Sequence, residues 1–98
     1  MANIQQVEIG REVTGYHQLG AGDMTTAVPV PGVGSVVMIQ AEAQNVRYRP
    51  DDVDPTSTVG VLLAAGETHT LNVGHGNINK IKVIEATAGA ILNVVAFK

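Results

Sequence analysis

Short runs in which apolar and polar side chains alternate cover most of the chain, and glycine or proline interrupts them every few residues. Alternation with a period of two marks a strand that buries one face. Ile4 to Ile9 reads this way, with Ile4 on one face and Val7 and Ile9 on the other. Ala27 to Val30 is a short extended run broken by Pro29 and followed by Pro31, which suits an edge or a loop crossing. Ser35 to Ala43 begins as a buried strand and ends in alternation. Val46-Arg47-Tyr48-Arg49 is cleaner, with Val46 and Tyr48 inward and both arginines outward. Val59 to Leu63, Thr68 to Val73, Ile78 to Ala86 and Ala90 to Phe97 complete the strands. Turns come at Ala64-Ala65-Gly66-Glu67, at Gly74-His75-Gly76-Asn77 and at Thr87-Ala88-Gly89, where glycine and asparagine tolerate positive φ.

The expected fold is therefore all-β: a two-sheet β-sandwich or a jelly-roll-like small barrel of about seven to eight short strands. Residues 1–98 read as a single β domain, with 1–25 available as an extended N-terminal arm. A helical alternative survives only at Val61 to Ala65, where leucine and alanine favour a helical turn. The last two strands read as a hairpin. In the final one, Leu92, Val94 and Ala96 face one way and Ile91, Val95 and Phe97 the other. A strand apolar on both faces needs a cover on its outer side, and a second subunit is the natural supplier.

Composition sharpens this picture. Apolar residues make up 45% of the 98, so a disordered polyelectrolyte is excluded, while charged residues are only 15% against roughly 25% in ordinary soluble domains. Surface poor in charge tends to be covered. Six Lys and Arg against nine Asp and Glu leave a net charge of −3 with no basic cluster, so nucleic acid is not an expected partner. The first residues lack a basic segment followed by an apolar run, and no stretch approaches the length of a membrane helix. The expectation is synthesis in the cytoplasm and no membrane partner. The absence of cysteine excludes disulfides, thiolate metal sites and thiol nucleophiles.

Candidate chemistry is sparse. His17, His69 and His75 do not fall at metal-ligand spacing and read as solvent-exposed turn residues. Asp51, Asp52 and Asp54 form the one acidic cluster. Without the glycine and distal glutamate of an EF-hand they read as a solvated loop, with Asp54 before Pro55 starting a turn. Arg47 and Arg49 share a strand face just ahead of these carboxylates; they pair with them either within the chain or across a subunit boundary. Pro31-Gly32-Val33-Gly34-Ser35 lacks the rest of a phosphate-binding loop, and neither Ser35 nor Ser57 sits in a nucleophile elbow. With Tyr16 and Tyr48 the only tyrosines, a sugar-stacking platform is short of aromatic rings. No enzyme, metal or other cofactor is expected.

The run Gln44 to Asp52, then Asp54 to Gly60, then Leu63-Ala64-Ala65-Gly66-Glu67, together with the ending Ile84 to Val94, resembles small virion proteins of tailed bacteriophages, of the capsid decoration (cement) type. The resemblance spans about residues 44–98. It implies a virion component at the capsid surface, made in the host cytoplasm, whose partners are the major capsid protein and further copies of itself, with a trimer favoured. On that reading Ile4, Val7 and Ile9 belong to an arm that adds to a neighbour, while Arg47, Arg49, Asp51, Asp52 and Asp54 set orientation. The alternative within the same class is a tail or head fibre or adhesin domain that binds a host receptor or glycan. The low charge, the doubly apolar last strand and the absence of a coiled-coil or collagen-like stalk favour decoration.

Overall fold

The computed structural model describes residues 11–98, which form eight strands and one 3₁₀ turn. The strands are β1 (Val13–Leu19), β2 (Val28–Pro29), β3 (Val36–Glu42), β4 (Val46–Arg49), β5 (Val61–Leu63), β6 (Thr68–Asn72), β7 (Lys82–Glu85) and β8 (Ile91–Phe97). All pairings are antiparallel and divide into two sheets, a front sheet in the order β1-β8-β3-β6 and a back sheet in the order β2-β7-β4-β5. The pairs β1 with β8, β2 with β7, β3 with β6 and β4 with β5 nest like one long hairpin rolled over on itself. That is the eight-stranded jelly-roll order. The all-β expectation holds, in its jelly-roll form.

Alternation explains why these segments pair face to face. Val37, Ile39 and Ala41 of β3 and Leu92, Val94 and Ala96 of β8 are fully buried and point at Val46, Leu63 and Val83 of the back sheet. Each of the valine, leucine and isoleucine side chains among them stabilises the fold by about 1.5–3 kcal/mol. Met24, Val30, Ile78 and Ile81 close the sandwich between strands. One polar contact joins the sheets across this interior: the Tyr48 hydroxyl lies 2.8 Å from Nδ1 of His69, and the two rings meet edge to face.

Three sequence expectations are corrected. β7 and β8 do not form a hairpin. Each belongs to a different sheet, and Thr87-Ala88-Gly89 carries the chain from one to the other. Both strands must point their buried residues at one shared interior, which strands of a single layer joined by a tight turn would also do, so alternation cannot distinguish the two cases. The strand expected from Ile78 starts later, because Ile78–Lys80 is a 3₁₀ turn that buries Ile78. Within the stretch read as an arm, Val13–Leu19 is an edge strand paired along β8. Its polar composition and internal Gly15 hid it. Ile4, Val7 and Ile9 lie outside the described residues.

Glycine is required at two points. Gly34 is buried at φ +131°, and a Cβ there would overlap the Phe97 carbonyl, which accepts the Ser35 N–H at 2.9 Å. Gly66 takes φ +89° in the turn closed by the Glu67 N–H donating to the Ala64 carbonyl at 2.8 Å, as a type II turn demands.

Candidate interaction surfaces

The back sheet turns Arg47, Arg49, Lys82, Ile84 and Leu62 outward, as the register of β4 with β5 and β7 requires. Beside them runs the acidic loop. Arg49 grips Asp51 with two bonds, Nε to Oδ1 at 3.0 Å and Nη2 to Oδ2 at 2.6 Å. This fork holds the Asp51 carboxyl below the usual carboxylate range and raises the Arg49 guanidinium. Lys82, distant in sequence, reaches Asp52 at 3.4 Å and Asp54 at 3.8 Å. Arg47 takes a different partner: its Nη1 donates to the Gly60 carbonyl at 3.0 Å, which pins the end of the loop to β4. The carboxylates thus meet cations of their own chain, and among the described residues no three His, Cys, Asp or Glu side chains converge as metal ligands would.

The same loop and the strand that follows it expose aliphatic groups. Val53, Val59, Val61 and Leu62 are each between 42% and 52% exposed, and all lie between residues 53 and 62. β5 is an edge strand of sequence Val-Leu-Leu, hydrogen-bonded to β4 alone, so its outer backbone groups are free to pair. The other edges differ. β6 offers Thr68, Thr70 and Asn72 outward, and β2 is two residues ending in proline. Pro55 is buried and Thr56 and Val59 bond to each other through both backbone groups, which holds the loop in a compact shape rather than leaving it open.

The outer face of the front sheet has another character. Register aligns Gln18, Asn93, Gln40 and Thr68 in one row across all four strands, and Tyr16, Val95 and Met38 in the next. They line a depression of about 430 Å³. Asn93 is its hub. Its Oδ1 accepts from the Tyr16 hydroxyl at 2.7 Å and from Gln18 Nε2 at 2.9 Å, while its Nδ2 donates to Gln40 Oε1 at 3.2 Å and Glu42 Oε1 at 2.9 Å. The outer side of β8 is therefore less greasy than its sequence promised: Val95 is only half-buried under this polar cover, and Phe97 is fully buried beside Val36.

Sequence reasoning singled out the arginines and aspartates, and the structure brings Arg49 and Asp51 together while leaving Arg47 apart. It missed Lys82 and the Asn93 network. No local pattern signals that network, because only the register of β1, β8 and β3 aligns its members. No family model, no curated protein and no solved structure matches this chain.

Proposed function

We propose that this chain is a structural virion protein that binds the outer surface of an assembled phage capsid, as an oligomer for which a trimer is favoured, and stabilises the shell by binding the lattice and not its free subunits. The observation that carries the reading is the aliphatic edge of the back sheet. Exposed apolar side chains concentrated on a free strand edge mark a surface that another protein covers. The cis-paired acidic loop beside it supplies a polar rim that sets orientation more than affinity. The reading assigns no chemical reaction to the chain. Co-sedimentation tests it directly: the purified chain pellets with expanded empty capsids and stays in the supernatant without them. A chain that remains soluble in the presence of shells ends the proposal.

A second reading, a receptor- or glycan-binding domain of a fibre, is favoured by one specific observation, the exposed Tyr16 beside a polar depression. Jelly rolls serve as capsid proteins and as lectins alike, so the fold does not choose between the readings.

A further inference from the structure

We infer that the outer face of the front sheet is a binding site for a neutral oligosaccharide, laid across the strands over the row Gln18, Asn93, Gln40 and Thr68 with a sugar ring against Tyr16. The inference rests on the second reading above for its ligand class, and it stands whether or not the chain decorates a capsid.

Three features point to this ligand. The first is preorganisation. Asn93 uses both lone-pair directions of its oxygen and both amide hydrogens on its neighbours, so five side chains from three strands, Asn93 included, are held in fixed orientations before any ligand arrives. What they leave over points outward in function: the Gln18 amide oxygen, the Gln40 amide nitrogen, the second Glu42 oxygen and the Thr68 hydroxyl make no bond among the described residues. These are mixed donors and acceptors, which is what hydroxyl groups require. The second feature is the adjacent apolar row. Tyr16 is 59% exposed with its hydroxyl tethered, so its ring stands as a fixed wall, and Met38 and Val95 form the floor. A pyranose has the same two aspects, an edge of hydroxyls and a face of C–H groups. The third is charge. The lining carries no Lys or Arg and a single carboxylate, which disfavours phosphate, sulfate and uronate groups. Strands lie about 4.8 Å apart, so the four-strand row spans the length of a short linear saccharide, and a depression near 430 Å³ falls within the range of ligand sites. The count of aromatic residues argued against a sugar platform; the register supplies in amides what the composition lacks in rings.

The test uses the full chain, labelled with nitrogen-15, titrated with maltotetraose, cellotetraose, chitotetraose and, as the acidic counterpart, tetragalacturonate. At least one neutral probe shifts the side-chain amides of Gln18, Gln40 and Asn93. Tyr16→Ala weakens that binding about tenfold, the scale of one aromatic contact, and Gln40→Ala weakens it further, while His75→Ala, in an exposed turn, leaves it unchanged. Retained spectral dispersion shows that each variant is folded. A neutral sugar that binds Tyr16→Ala and Gln40→Ala as well as it binds the natural chain keeps the glycan reading and overturns this site. Preference for the acidic probe overturns the ligand class. If no probe shifts any amide, site and reading fall together, while the capsid experiment above is untouched.

Discussion

On the outer face of the front sheet the polar groups satisfy one another; on the back sheet they satisfy the loop and leave the aliphatic edge uncovered. Asn93 joins Tyr16, Gln18, Gln40 and Glu42 into one network over a half-buried floor. Across the sandwich, Arg49 and Lys82 are consumed by Asp51, Asp52 and Asp54, while Val59, Val61 and Leu62 stay about half exposed among the described residues. One core thus supports two unlike surfaces. A preorganised polar face suits a small hydroxylated ligand, because its bonding geometry is set in advance. An apolar edge suits a protein partner, because burial is non-directional and a free strand edge accepts a backbone.

The largest expected effect comes from the core that both faces share. Ile39→Ala removes buried volume between the sheets and costs about 2–5 kcal/mol in chemical denaturation, and it lowers sugar binding and association together. A loss of one without the other would mean the faces do not depend on a common support. Asn93→Ala separates them. It breaks four bonds on the front sheet, costs about 1–2 kcal/mol because those bonds are partly solvated, and leaves association intact in sedimentation.

Tyr48→Phe acts between the sheets. Loss of the bond to His69 costs about 1 kcal/mol. Burial, and secondarily the Glu67 carboxylate, push the Tyr48 phenol up. The native chain therefore holds that proton more tightly than the unfolded one. The resulting stability is complete below the phenol's ordinary pKa and is lost as pH rises through the raised value. Melting followed along an alkaline series shows that loss in the natural chain and less of it in Tyr48→Phe.

The smallest effect is on the back sheet's rim. The lowered Asp51 pKa means that the pair with Arg49 contributes above the ordinary carboxylate range and is lost as pH falls through the Asp51 value. The residue is exposed, so the melting temperature barely changes. Carbon-13 titration of the Asp51 carboxyl is the sensitive readout, and Arg49→Gln moves its midpoint up toward that of a free aspartate.

Most of the architecture was legible where burial dictated the residues. β3, β4 and β8 announce themselves by apolar side chains at every second position, and the glycine turns by residues that tolerate positive φ. β1 was not legible, since an edge strand buries little and so carries little apolar signal. Nor was the assignment of β7 and β8 to different sheets, because a period of two reports a face and not a partner. Of the surfaces, Arg49 and Asp51 could be paired from two residues' separation. Lys82 and the Gln18, Asn93, Gln40 and Thr68 row could not, because register alone brings together positions so far apart in the chain.

Sedimentation equilibrium of the natural chain beside Leu62→Glu tests the aliphatic edge most directly. The natural chain self-associates with rising concentration, and Leu62→Glu, whose exposed site should shift folding stability by no more than about 0.5 kcal/mol, stays a folded monomer. A natural chain that sediments as a monomer at every concentration, or a Leu62→Glu variant that associates as strongly as the natural one, contradicts the role given to that edge.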